Sequence, residues 1–460
     1  MISEKWFSVD EISSYLSVRR ETVYRWIKNR NLPAHKIGTV YKARLADIDA
    51  WIIHNTVNPP LLEEDSEMKR LLAQPPSDHS LVEQLPFSEI KANRHADFQA
   101  ISQIFATKAY FADERNLLLG GDSLEILRAF PDRSISLIVT DPPYHTTQKS
   151  NILGDTQFDT DEEYLTWFQK YLHQWKRILR PNGSIYCFCS VAMAARLEVA
   201  FRKEFNILGN LTWTKPNAPG FDGWKQKMNK EALRQWYPHS ERIIFAEPAF
   251  SGNLFQSYFG NLLKEWRTQA KLSMKDLTEL VGAYGKVNHG GSVANWEAGR
   301  NIPSQEQYTK IVSALSSYLP KISFPPYCDV IRAFHTSGNE EFTDIWNFPN
   351  IRPYKGKHPA EKPIAMLEHI IHSSSYLEDI VLDCFSGSGS TAIAALRNNR
   401  FAISIELDPK WLQSSKAIFQ QIAASQYSQF PDNYNLKRNL AETSLSFTMQ
   451  PSMAFAKSMP

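Results

Sequence analysis

The stretch "IVLDCFSGSGSTAIAALRNNRFAISIE", residues 380 to 406, is compatible with very few folds. An apolar run of strand length ends on Asp383; a glycine- and serine-rich loop opens an alanine-rich helical segment; a second apolar run ends on Glu406. Two buried strands joined through a helix pair in parallel, because the chain must cross the sheet before it starts the second strand. Gly387 and Gly389 let the backbone come close to a ligand at the helix start, where unpaired N–H groups face outward. A dinucleotide enzyme uses such a loop too, so the loop by itself is a weak signal. Glu406, about twenty residues further on, stands where an acid binds a ribose hydroxyl pair, which favours a nucleoside-like ligand.

The same alternation begins at Asn116. "NLLLGGD", "SLIVTD" and "GSIYCFCS" read as strands, and "DEEYLTWFQKYLHQWKRILR" as a helix with Tyr164, Leu165, Phe168, Tyr171, Leu172, Trp175 and Leu179 on its apolar face. Two more strands, "ILGNLTWTK" and "ERIIFAE", follow around a segment containing glycine and proline. The expected fold is α/β: a doubly wound, Rossmann-like sheet interrupted in sequence. In such a sheet Asp122, Asp141, Ser190, Asp383 and Glu406 all fall at strand carboxyl ends, where ligands bind. Acids at so many buried strand ends would be costly as packing alone, since each charge needs a partner or water.

"LIVTDPPYHTT", residues 137 to 147, ends one of these strands on Asp141, Pro142, Pro143 and Tyr144. A turn would explain the tetrapeptide. Set beside "FSGSGST", "GDSLEIL" and "HPAEKP", however, "DPPY" resembles the amino-methyltransferases of DNA over residues 111 to 424, the insert aside. Those enzymes transfer the methyl group of S-adenosylmethionine to an exocyclic base nitrogen. The catalytic strand precedes the cofactor loop here, a circularly permuted motif order that matches the family's β class. The resemblance implies that Asp383, with the backbone of Phe385, Ser386, Gly387 and Gly389, holds the methionine moiety. It likewise implies that Glu406 holds the ribose and Asp122 with Ser123 the adenine end, with Lys362 and Pro363 lining the cofactor pocket. Ser388, Ser390 and His358 are equally well read as loop, cap and turn residues.

The chemistry accounts for all four positions of the tetrapeptide. An exocyclic amine is a poor nucleophile because its lone pair is delocalised into the ring. The Asp141 carboxylate and the Pro142 carbonyl can accept its N–H groups and return density to nitrogen, held still by two prolines of fixed φ. Tyr144 offers a face to a base that must leave the duplex to be reached. Aspartate at the first position favours adenine N6, since cytosine-N4 enzymes of the family more often carry serine there; cytosine N4 is the alternative. RNA or protein-amide methylation, where asparagine usually stands first, fits less well. A DNA-binding regulator or recombination accessory protein is the competing class, and it would have no use for the loop, the ribose acid or the catalytic motif.

Two flanking pieces point to double-stranded DNA as the partner. In residues 1–55, Ser8 and Glu11 form a capping box, Ile12, Tyr15 and Leu16 an apolar stripe, and Val23, Trp26 and Ile27 the inner face of a second helix. Arg19, Arg20, Tyr24, Arg25 and Lys28 make its outer face basic and aromatic, suited to phosphates and base edges. With a short wing after it, this segment resembles the excisionase and MerR type of winged helix-turn-helix. Residues 251–320 form a small helical insert with Leu263, Trp266, Leu277 and Leu280 inward, a helix near Val293 to Trp296 and a stop at Gly299. They resemble the Cro/repressor type of helix-turn-helix with a lengthened turn, placed where the family carries target recognition. Residues 56–110 read as a linker with room for one helix, 111–250 as the catalytic half, 321–424 as the cofactor half and 425–460 as a disordered tail.

A formal charge of +2 leaves nucleic-acid contact to local basic patches. Cys187, Cys189, Cys328 and Cys384 have no zinc-ligand spacing, so reduced structural thiols and no metal are expected. Without an apolar run of membrane-spanning length or a signal-peptide pattern, the expected location is the cytosol. A cognate restriction endonuclease is a further candidate partner, and either a monomer or a homodimer is compatible with the sequence.

Overall fold

The computed structural model describes residues 6–15, 23, 24, 27, 32–37, 40–44, 47, 48, 87–145, 157–216, 229–236, 239–249, 257–284, 291–336, 342–352 and 357–428. The chain divides into two units, Met1–Ser77 and Asp78–Pro460.

In the first unit, β1 (Trp6–Ser8) leads into α1 (Val9–Tyr15), and a hairpin of β2 (His35–Ile37) and β3 (Val40–Arg44) completes an antiparallel sheet in the order β1-β3-β2. The α1 cap is the reciprocal pair expected: Glu11 N–H donates to Ser8 Oγ, and Ser8 N–H donates to the Glu11 carboxylate. Val9, Ile12, Val23, Leu32, Ala43 and Ile48 form the core. Tyr15 is 48% exposed, a departure from the expected stripe, while Val9 at the other end of α1 is buried with Ile12. Tyr24 is exposed, as its place on the outer face requires. Leu16, Arg19, Arg20, Arg25, Trp26 and Lys28 lie outside the described residues.

The second unit is built on a nine-stranded sheet in the order β10-β8-β9-β7-β6-β11-β12-β5-β4. Its strands are β4 (Ala109–Ala112), β5 (Asn116–Gly120), β6 (Ile135–Thr140), β7 (Leu179–Cys189), β8 (Phe205–Trp213), β9 (Glu241–Pro248), β10 (Ile345–Trp346), β11 (Ile380–Asp383) and β12 (Phe401–Glu406). The central strands β7-β6-β11-β12-β5 pair in parallel, whereas β9 runs antiparallel to both its neighbours and β4 antiparallel to β5. Strand order reverses between β6 and β11, since the chain runs from β6 to β7 on one side and from β11 to β12 on the other. In doubly wound sheets that crevice is where ligands bind.

Helices α2 (Phe87–Ile104), α3 (Ser123–Leu127), α4 (Asp161–Ile178) and α5 (Ala194–Phe201) belong to the first half of this unit. Tyr164, Phe168, Tyr171, Leu172 and Trp175 of α4 are buried in the main core with the apolar strand residues. Leu179 is buried too, but as the first residue of β7 and not as the last turn of the helix. Helix α2 is the one helix that residues 56–110 had room for, and it packs into the main core. Phe98, Ile101 and Phe105 join the same core, and Arg94 is 2% exposed, its guanidinium on Asp379 and Asp329.

The insert has a core of its own, formed by α6 (Tyr258–Gln269), α7 (Met274–Val281), α8 (Ser292–Glu297) and α9 (Gln305–Ser316). Leu263, Trp266, Leu277, Val293 and Trp296 point inward. Leu280 does not: it is half exposed and Val281 takes its place, since a helix that buries Leu277 buries the residue four positions on before the one at three. Gly299 has φ +67°, the left-handed stop expected of it. Beyond α9 the short helix α10 (Tyr327–Val330) is tied to β7 by the Asn182 amide, which donates to the carbonyls of Cys328 and Ile331. The last helices are α11 (Ile364–Ser374), α12 (Ser390–Arg397) and α13 (Pro409–Ser428). All four cysteines are buried free thiols.

Candidate active site

Parallel register brings the strand ends together. Leu137 and Ile138 of β6 pair with Val381 and Leu382 of β11, and Glu406 of β12 pairs with Gly120 of β5. Asp122, Asp141, Asp383 and Glu406 therefore reach one edge and line one cavity, with Pro142, Pro143, Tyr144, Ser123, Phe385, Ser386, Gly387, Ser388, Ser390, His358 and Lys362. Ser190 also ends its strand but does not line the cavity; its hydroxyl accepts from Met193 N–H in the following turn.

Much of the acidic edge organises the glycine loop. Asp383 accepts from Phe385 N–H at 3.1 Å and from the Thr391 hydroxyl at 2.7 Å. Burial nevertheless pushes its carboxyl up to about 7. Glu406 accepts from Gly387 N–H at 2.6 Å with one oxygen and from Asp408 N–H at 2.8 Å with the other. Gly387 and Gly389 have φ +49° and +78°, and a Cβ on Gly389 would stand 2.8 Å from the Phe419 ring. Asp122 caps α3 through Leu124 and Glu125 N–H, and the hydroxyls of Ser123 and Tyr171 are 3.0 Å apart. Ser388 and Ser390 share a hydrogen bond with each other. His358 packs over Gly387 and edge-on to Trp411, and Ala360 N–H donates to its Nδ1. Burial, with Lys362 and Lys357 adding to it, holds this imidazole down at about 4, so it is neutral.

The end of the cavity at Asp141 and Tyr144 carries a group of charges. Lys362 Nζ is 2.5 Å from Asp141 Oδ2 and 3.3 Å from Glu241 Oε2. Lys215 Nζ lies 2.6 Å from Glu241 Oε1, and the Tyr144 hydroxyl donates to Glu241 Oε2 at 3.0 Å. Tyr164 donates to the Pro143 carbonyl at 3.0 Å and steadies the turn. Burial raises the Asp141 carboxyl, against the pull of Lys362. Burial also opposes the charge on Glu241, but Lys362 and Lys215 outweigh it and hold that carboxyl down at about 2.

Lys362 is thus a neighbour of Asp141 as well as a wall of the cavity. Glu241 and Lys215 were not among the residues expected here. Glu241 opens "ERIIFAE", and because β9 runs antiparallel, its first residue lies at the edge where the parallel strands end. Strand direction was the missing signal.

The cleft suits a nucleoside sulfonium such as S-adenosylmethionine. Glu406 and Gly387 border it, and the buried Ser386 hydroxyl and Asp141 Oδ1 have no hydrogen-bond partner among the described residues. Fold and site together define a nucleoside-binding α/β enzyme with an acid and a turn of two prolines beside the cofactor loop. More specifically, residues 135–417 match the family model described as DNA methylase, and the chain belongs to that family of amino-methyltransferases, whose cofactor is S-adenosylmethionine. Residues 6–55 match the model of a helix-turn-helix domain.

The chain is 25% identical over 333 residues to the Type II methyltransferase M2.MboI of Moraxella bovis, covering 68% of this chain and 92% of that one. It is 23% identical over 307 residues to the DNA adenine methyltransferase YhdJ of Escherichia coli K12, covering 66% and 82%. Among solved structures, the cytosine-N4-specific PvuII DNA methyltransferase aligns with a TM-score of 0.41 at 18% identity, over 69% of this chain and 93% of that one.

Proposed function

We propose that the protein methylates the N6 amine of adenine at a specific site in double-stranded DNA. One observation carries the reading: Asp141 Oδ1 is buried in the cofactor cleft without a hydrogen-bond partner among the described residues, while Oδ2 is held by Lys362. A buried acceptor left open is costly unless a donor arrives, and an exocyclic N–H is such a donor. When bound, S-adenosylmethionine supplies an electrophilic methyl group, which the amine takes as its N–C bond forms and the C–S bond breaks with its electron pair on sulfur. Asp141 and the Pro142 carbonyl orient the amine, and Tyr144 stacks on the flipped base. Aspartate at the first motif position supports adenine over cytosine N4, as does the adenine specificity in the name of the Escherichia relative.

The remaining roles belong to the same reading. Asp383 and the loop from Phe385 to Gly389 hold the methionine part, Glu406 the ribose, and Asp122 and Ser123 the adenine end. The insert, with its own core, presents α8 for target recognition, and residues 1–55 add a second DNA contact. Digestion to nucleosides and mass spectrometry of DNA treated with the protein tests the base: N6-methyladenine is expected, and N4-methylcytosine as the only product overturns it.

A further inference from the structure

Four charges meet at the catalytic end: Asp141 and Glu241 against Lys362 and Lys215, two of each sign. A balanced group of this kind survives burial because no charge lacks a partner. Its division is uneven. Lys362 is closer to Asp141 than to Glu241, Lys215 engages only the far oxygen of Glu241, and Tyr144 donates to the near one. Lys362 therefore has two carboxylates within reach and is also stacked near the Tyr144 and Phe188 rings, at 5.4 and 5.0 Å.

We propose that Lys362 is a movable counter-ion shared between Asp141 and Glu241, and that Glu241, itself held by Lys215, is the positioning residue that keeps Lys362 from closing off Asp141. The proposal rests on the amine-methylation reading above. In the resting site Lys362 favours the ionised form of Asp141 by engaging Oδ2 and leaves Oδ1 for the base. As the N–C bond forms, the nitrogen carries one proton too many; Asp141 accepts it, the N–H pair staying on nitrogen. Once Asp141 is neutral, Lys362 has Glu241 as its one anionic partner among the described residues and shifts toward it, which favours the transferred proton's place on Asp141. The groups facing Asp141 are Lys362, Glu241 and Tyr144, with Cys187 and Cys189 of β7 and Asp383 of β11 around them.

The two partners act on Asp141 with opposite sign, and the test uses this. Single-turnover methylation of genomic DNA from a host lacking DNA methyltransferases is followed against pH with the full-length protein. In Lys362→Met the acid limb of the rate is expected to move up by about 1 to 3 pH units, since a cation beside the carboxyl is lost. In Glu241→Gln, which removes a neighbouring anion and keeps the shape, the limb moves down, while the plateau rate falls because Lys362 commits to Asp141. A purely structural role would move both the same way or neither, and either result overturns the proposal. An independent reading comes from the infrared band of the protonated carboxyl in the DNA-free protein, assigned through its loss in Asp141→Asn. That band should appear at higher pH in Lys362→Met and at lower pH in Glu241→Gln than in the unaltered protein, and an unchanged midpoint in both overturns the proposal. If Lys362→Met does not fold, Lys362→Gln carries the same test. Absence of any methylated base with the unaltered protein overturns the amine-methylation reading, and the infrared titration still decides how Lys362 is divided.

Discussion

Lys362 Nζ and Asp141 Oδ2 are 2.5 Å apart, although 221 positions separate the two residues in the chain. The contact joins the end of β6 to the loop that precedes α11, and it places two residues that line the same cavity in one ion pair.

Asp141→Ala should abolish methyl transfer, by about 100-fold or more if Asp141 accepts the amine proton. Cofactor binding, measured by calorimetry, should remain, because the glycine loop and Glu406 are held by other bonds. Substantial turnover in the variant would contradict the role given to Asp141.

Asp383 makes stability depend on pH. Its folded carboxyl is raised, so the protonated form favours the folded state. That contribution is full below the ordinary carboxyl value of about 4 and is lost as pH rises through about 7. Asp383→Asn should flatten this part of the cofactor-free stability profile in denaturant titrations, and an unchanged slope would count against the burial argument.

Arg94→Met takes the ion-pair partner from the buried Asp379, whereas Asp329 keeps Arg180. The expected loss of unfolding free energy is about 3–5 kcal/mol, measured by urea denaturation. A near-neutral change would mean that α2 adds little to the unit.

Exchanging residues 251–320 for the corresponding piece of a relative should move the methylated site, as read in the methylome of expressing cells. An unchanged site would assign recognition to another part of the chain.

Local signals carried a large share of this protein. Alternating apolar runs foretold β5, β6, β7, β11 and β12, since a buried strand needs a continuous apolar stretch. The Ser8–Glu11 cap and the Gly299 stop were legible because they are short-range hydrogen-bond and φ requirements. "DPPY" and the glycine loop were legible because close approach to a ligand demands particular residue types. The sequence left room for helix α2 but not its packing, since its weakly periodic stretch is held by Arg94 and by contact with strands far along the chain.

By itself, then, the sequence determined the strand–helix alternation, the glycine loop and the acids that end the strands, all of which depend on residues near one another in the chain. Only the tertiary structure decided that β9 runs antiparallel and so brings Glu241 to the same edge, and that Lys362 reaches both carboxylates. Pairing direction and ion-pair choice depend on which distant segments share a sheet, and no local periodicity records that.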